Sequence, residues 1–277
     1  MPLIRKLMNV MTLSEDERHA IQGLPRTYRR LAAREDITSE RHGSSQCSVI
    51  LDGWACRFKT LQDGRRQILS LHLPGDIPDL QKLHLPAMEH SLGTLTECAV
   101  AFIPHHALRG LTEHFPAIAA ALWRDTLLDA AILREWMVNI GRRSSTGRIA
   151  HLLCEIYTKL TAIDLAQDGR CRFPLTTGDL ADATGLTAGD AGQVLRDLRA
   201  RGLISLAGDE LVIENWRALS ELVGFDPTYL YLAPSKAGRT GLPDGAAFTK
   251  APSVEPANRE RCIPDAINGI NQGQCRL

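Results

Sequence analysis

Residues 175–204, LTTGDLADATGLTAGDAGQVLRDLRARGLI, constrain the fold more than any other stretch of this chain. Thr176 is followed three residues on by Asp179, and Thr187 three residues on by Asp190. Both are helix-start signals, because each hydroxyl can accept from a backbone N–H that has no intrahelical partner. Gly185, between them, supplies a turn that tolerates positive φ. Leu180, Ala181 and Thr184 turn one face of the first helix inward, and Ala191, Val194, Leu195 and Leu198 give the second a buried stripe. The spacing predicts two short helices around a tight turn, the plan of a helix-turn-helix. It leaves Ala188, Gly189, Gly192, Gln193 and Arg196 outward, on the face that such a device lays in a major groove. That face is nearly bare.

Composition narrows the class. A chain of 277 residues, 44% hydrophobic and 23% charged, is ordinary for a globular protein with room for two domains. Lys+Arg and Asp+Glu both total 32, so attraction for nucleic acid has to come from a local patch. The N-terminus, MPLIRKLMNVMTLSEDERHAI, has no long apolar core and soon turns acidic, which argues against a signal peptide. No apolar run approaches the length of a bilayer span, so the expectation is a cytoplasmic protein without a membrane partner. Seven cysteines without a C-x-x-C pair indicate neither a disulfide framework nor a zinc ribbon.

Along the chain the pattern is α+β. Ser14 and Glu17 form a capping-box signal for a surface helix over about residues 14–19. CSVILDGWACRFKTLQDGRRQILSLHLPGD reads as extended segments cut at Asp52-Gly53, Asp63-Gly64 and Pro74-Gly75, with Leu69, Leu71 and Leu73 on one face. SLGTLTECAVAFIPHHAL adds a further strand pair ended by Pro104. These segments predict an antiparallel β-roll over 1–114, followed by a long helix over 115–140. A helical domain with a two-stranded wing around Gly208-Asp209 follows over 141–233, and residues 234–277, rich in Ala, Gly, Pro and Asn, read as a flexible tail. The long helix spreads Ile118, Leu122, Trp123, Leu127, Ile132, Leu133, Trp136, Met137 and Ile140 around more than one stripe. That predicts two neighbours, the roll and a second copy across a two-fold axis, with Ile118, Leu122, Leu133, Trp136 and Ile140 as dimerisation residues. A fully buried helix in a monomer is the competing reading.

Roll, long helix, helix-turn-helix and wing, in that order, resemble the Crp/Fnr superfamily of bacterial transcription regulators over roughly residues 10–232. LDGWACRFKTLQDGRRQILSLHLPGD is similar to the family's glycine-punctuated hairpins, and residues 175–204 to its helix-turn-helix, hydrophobic position by hydrophobic position. The resemblance implies a cyclic-nucleotide-binding-like sensory roll and a winged helix-turn-helix. It also implies a homodimer on palindromic double-stranded DNA, with RNA polymerase as a further partner.

This chain departs from the pattern in three places. Cyclic-nucleotide-binding members carry a Gly-Glu stretch and an Arg-Ser pair that holds the cyclic phosphate; the corresponding region here is IPDLQKLHLPAMEHSLGTLTEC, and no arginine lies between Arg66 and Arg109. A buried phosphodiester needs a charged partner, so cyclic nucleotide is not the expected ligand. The oxygen-sensing branch holds an iron–sulfur cluster on N-terminal cysteines, whereas the first cysteine here is Cys47, so no cluster is expected. The family places Ser/Thr-Arg at the start of the recognition helix and another Arg in its second turn; here those slots hold Thr187-Ala188 and Gln193.

Arginine bidentate to guanine is worth roughly 1–3 kcal/mol of discrimination, so guanine readout is expected to be missing while Gln193 can still pair with adenine. Thr176, Thr187, Arg196 and Arg199 are the expected phosphate contacts, with Ala188, Gly189 and Gln193 at the bases. His72, His84 and His90 lack ligand spacing and read as packed or surface histidines. Cys47, Cys56, Cys98 and Cys154 read as small buried hydrophobes, while Cys171, Cys262 and Cys275 fall in loop or tail, open to oxidation. No paired carboxylates or nucleophile–base set suggests an enzyme. Two readings follow: a DNA-binding regulator with an atypical, A·T-leaning or weakly specific site, and a diverged dimerising interaction protein with weak or no DNA binding of its own.

Overall fold

The computed structural model describes residues 1–40 and 43–232, so the tail expected over 234–277, with Cys262 and Cys275, lies outside the described residues. Two antiparallel sheets form the roll. In the first, β1 (Thr27–Leu31) pairs with β7 (Cys98–Pro104), which pairs with β3 (Gln46–Asp52). The second runs β2 (Asp36–Thr38), β6 (Ser91–Thr94), β4 (Ala55–Thr60), β5 (Arg66–His72). Leu31, Ile37, Ile50, Ala55, Leu92, Cys98 and Val100 cluster between them. Gly53 turns β3 into β4 at φ 85°, where an added Cβ would lie 2.2 Å from the Glu97 carbonyl oxygen, so only glycine fits.

The expected alternation of Leu69, Leu71 and Leu73 is broken. Arg57 faces Ser70 and Phe58 faces Ile68, so the register slips and Leu69 is the extra residue of a β-bulge. Ile68 and Leu71 are buried in its place, and Leu69 is half-buried.

Helices brace the roll. The capping box of Ser14 and Glu17 starts α2 (Glu15–Gln22), as its sequence signal predicts. An unanticipated helix, α1 (Pro2–Val10), precedes it and buries Leu3, Ile4, Leu7 and Val10. Leu3, Ile4 and Leu7 share a cluster with Ile21, Leu108, Ile118 and Leu122, which joins α1 and the roll to α3 (His105–His114) and α4 (Pro116–Arg142). Lys6 of α1 reaches Asp76 at 2.7 Å and Asp125 of α4 at 2.9 Å, tying α1 and α4 to the loop after β5 with one ammonium.

After α4, Ser144 caps α5 (Ser145–Ala162), which is buried along most of its length. The helix-turn-helix is α6 (Thr177–Thr184) and α7 (Ala188–Ala200). The wing has four strands rather than two: β10 (Ile204–Ala207) and β11 (Glu210–Ile213) are extended by β9 (Arg170–Arg172) and β8 (Ala166–Gln167). Leu211 and Cys171 face each other across β11 and β9 and are buried, so Cys171 is a core residue and not the loop cysteine expected. A last helix, α8 (Trp216–Val223), packs on α5 through Trp216, 5.5 Å from Tyr157 between ring centroids. Among the described residues no helix is long and apolar enough to cross a membrane.

Candidate nucleic-acid interface

The reading head is built from local signals that act as the sequence predicts. Thr176 and Asp179 close a reciprocal capping box on α6, and Gly185 ends that helix in the left-handed region at φ 66°. Thr187 accepts from the Asp190 N–H at 3.1 Å and starts α7. Ala191, Val194 and Leu198 are buried, while Ala188, Gly189, Gln193 and Arg196 are exposed and Gly192 is half-buried. The presented face is therefore the one expected, and it is as sparse as expected.

Its hydrogen bonds revise the roles of two side chains. Both threonine hydroxyls spend their protons on a neighbouring carboxylate, Thr176 on Asp179 at 2.6 Å and Thr187 on Asp190 at 2.7 Å. Neither is then free to donate to a phosphate, so the donors left at the helix starts are first-turn backbone N–H groups such as those of Ala188 and Gly189. Gln193 donates Nε2 to Asp197 at 2.8 Å and accepts from Arg196 at 2.6 Å. An amide has two N–H donors and two acceptor lone pairs, so Gln193 keeps one of each for a base edge. Arg196 is held on Gln193 in the free protein, and Arg199 is exposed. The wing arginines are matched by acids, Arg170 with Glu210 at 3.3 Å and Arg172 with Asp209 at 2.9 Å.

Behind α6, Asp179 also accepts from Arg34 and Arg66 of the roll. Burial alone would raise this carboxyl, but the hydrogen bonds from Arg34 and Thr176 outweigh it and hold its pKa at about 2.

The long helix requires a correction. Ile118, Leu122 and Trp136, expected at a dimer contact, are buried in the chain's own cores. Ile118 and Leu122 pack with α1 and α3, and Trp136 packs against α5, donating Nε1 to both oxygens of Glu155 at 3.1 Å. Ile140 is half-buried. Of the five, only Leu133 is exposed, at 48%. The open apolar face consists instead of Trp123 (68%), Leu127 (51%) and Met137 (69%), with Leu133 and Val138 at its two edges. Residues 123, 127, 130, 134 and 137 fall on the 3–4 spacing of a single helical seam, which is apolar except for the exposed Arg134.

Comparison with known proteins fits this architecture at both ends. A cyclic nucleotide-binding domain model matches residues 28–115, and a Crp-like helix-turn-helix domain model matches residues 147–222. The chain belongs to the Crp/Fnr superfamily. Transcriptional activator protein FnrL of Cereibacter sphaeroides is 27% identical over 64% of this chain and 72% of its own. Nitrogen fixation regulation protein FixK of Bradyrhizobium diazoefficiens is 28% identical over 62% of this chain and 71% of its own. The solved structure of FixK2 from Bradyrhizobium japonicum superposes with a TM-score of 0.66 at 26% identity, covering 72% of this chain and 98% of that one. This Crp/Fnr protein is a transcription regulator with a helix-turn-helix DNA-binding domain, not an enzyme.

The roll offers little positive charge over the stretch from Gln67 to Leu108. Lys82, the one Lys or Arg between Gln67 and Leu108, is buried and committed. Its Nζ lies 2.8 Å from Asp79 and 2.9 Å from Thr38, and Asp79 accepts in turn from the Ser48 N–H at 2.7 Å. Lys82 is therefore paired within the roll and not free to hold a buried phosphodiester, which needs a charged partner.

The histidines also have local partners. His72 lies between Ser70 at 2.9 Å and Asp76 at 3.2 Å, its pKa pushed down to about 4 by burial and by Arg57. His90 contacts Glu89 at 2.9 Å, and His84 is exposed. Cys47, Cys56, Cys98 and Cys154 are buried, and burial pushes the Cys56 thiol up to about 12. Among the described residues no group of three or more His, Cys, Asp or Glu is placed to hold a metal ion.

Proposed function

We propose that this protein acts in the cytoplasm as a homodimer, joined along the Trp123–Leu127–Leu133–Met137 face of α4, on a palindromic DNA site. One observation carries the reading: a mostly apolar face, with Arg134 the exposed charge on it, is left open on α4 while the α7 face stays uncovered. An apolar seam at coiled-coil spacing is self-complementary across a two-fold axis, and that axis turns one reading head into two facing half-sites. At each half-site the first-turn N–H groups, Arg196 and Arg199 contact phosphate, Gln193 reads adenine, and Ala188 and Gly189 allow close backbone approach. RNA polymerase is the further partner of the bound dimer. Neither cyclic nucleotide nor an iron–sulfur cluster is part of this reading.

The Gln193–Arg196 bond favours a second reading, because a reading face satisfied within its own helix has less to offer DNA. In that case the chain dimerises but binds DNA weakly. Titration against its selected duplex and against random duplex, at several salt concentrations, separates the two. The regulator reading expects affinity that falls steeply with salt and a selected-over-random preference of 10³ or more, on the order found for specific DNA binders. Salt-dependent binding without that preference supports the second reading.

A further inference from the structure

The reading head is tied to the roll of its own chain by two arginines. Arg34, in the turn between β1 and β2, directs both terminal nitrogens at the Asp179 carboxylate, Nη2 at 2.7 Å. Arg66, the first residue of β5, donates Nη2 to Asp179 at 2.9 Å and Nε to Asp182 at 2.7 Å. Its guanidinium also lies 5.6 Å from the centre of the Phe58 ring, which fixes it from the roll side. Asp179 is 1% exposed and is the residue that closes the capping box of α6, so the contact grips the helix at its start. A carboxylate this buried is costly without its cations, which favours the docked arrangement over a swinging head.

The side of the head that is gripped gives the contact its direction. Asp179 and Asp182 face the roll from α6, whereas Ala188, Gly189, Gln193 and Arg196 of α7 remain exposed. The grip therefore holds the head without covering its reading face.

We propose that Arg34 and Arg66 are positioning residues that fix the angle of the reading head on the roll and so set which half-site spacing the dimer accepts. The proposal rests on the dimeric-regulator reading above. Two half-sites lie about 34–36 Å apart, one turn of the duplex. Once the first head is bound, the second finds its half-site at an effective concentration set by how rigidly it is held. A loosened head still reads one half-site as before, but it loses the advantage of the second and tolerates more spacings.

The test uses the full-length protein and the duplex recovered by random-pool selection with the wild type. That duplex is compared with one in which a half-site is scrambled, and with versions in which the half-sites are moved by one or two base pairs. Arg34→Gln with Arg66→Gln, checked for unchanged dimeric mass and circular dichroism, is expected to lose at least tenfold on the full site. Half-site affinity should stay within twofold, and the spacing optimum should broaden. Arg66→Gln alone should show the same split at smaller size, which keeps the test alive if the double variant does not fold, and Arg66→Lys should recover part of the loss. Equal losses on full and half-site duplexes, an unchanged spacing profile, or a gain on the full site would overturn the proposal. A wild type that binds the full site no better than the half-site overturns the dimeric reading itself, and the positioning role with it.

Discussion

Two helices of this chain, α4 and α7, each present a face that the chain leaves open, and the two faces have opposite chemistry. On α4 the open side carries Trp123, Leu127, Leu133 and Met137, side chains that water covers at a cost of roughly 1.5–3 kcal/mol each. On α7 it carries Ala188, Gly189, Gln193 and Arg196, with little apolar area to hide. The first suits a partner that excludes water. The second suits a polar surface approached closely by backbone, with direction supplied by a few hydrogen bonds and phosphate charge. Helix exposure alone does not say what a face binds; the area and polarity of the side chains on it do.

The sharpest way to break the comparison is to place a charge on either side of α4. Leu122→Asp buries a carboxylate among Leu7, Leu108 and Ile118 and should cost more than about 4 kcal/mol, enough to unfold the protein. Trp123→Asp, one residue on, should leave thermal unfolding of the monomer intact while light scattering shows the dimer mass halved. A folded Leu122→Asp dimer would refute the assignment of faces.

Acid separates the supports of the two helices. His72, beside Asp76 under α4, and His151, in α5 against Phe225 and Tyr229, are held down at about 4 and about 3, first by burial and then by the nearby Arg57 and Arg143. Their folded pKa values lie below the unfolded value of about 6.5, so this stability is complete above pH 6.5 and lost as pH falls toward 4. Asp179 behind α6 is also depressed, but from an ordinary value near 3.8, so its contribution persists above that pH and fades only as pH falls toward 2. Urea midpoints should therefore fall between pH 7 and 4 through these two histidines, against the opposite pull of buried Asp125 and Glu155, whose carboxyls burial raises, and His72→Gln should flatten part of that slope. A pH profile of His72→Gln identical in shape to that of the wild type would contradict the shift at His72.

Smaller effects are expected on α7. Gln193→Ala should level the preference at one symmetric position per half-site by roughly 1–3 kcal/mol, read by competition with single-base variants. Arg196→Ala should weaken all sequences together and reduce the salt slope by about one. If instead Arg196→Ala changed preference at a single base pair, Arg196 would be a base reader and the division of roles on α7 would be wrong.

Much of this contrast is legible in sequence, and the residues show why the rest is not. Caps, glycine turn and buried stripe of the helix-turn-helix are local, so Thr176, Gly185, Thr187, Ala191 and Leu198 announce themselves by spacing. The inner and outer sides of α4 do not, because both are apolar and only tertiary contact with α1, α3 and α5 decides which is hidden. Helix α1 supplies part of that contact. Its Leu3, Ile4, Leu7 and Val10 do follow helical spacing, a signal within reach that a search for leader sequences passes over. The bulge at Leu69 and the grip of Arg34 and Arg66 on Asp179 depend on pairings across the fold, and neither residue type nor spacing encodes them.

Random-pool selection with the wild-type protein tests the central claim most directly, since it asks both faces to act together. The account predicts an inverted repeat, the imprint of a dimer made along α4, with adenine favoured where Gln193 reaches and no invariant guanine at the positions facing Ala188 and Gln193. A pool that shows no inverted repeat, or one fixed at guanine opposite Gln193, would contradict it.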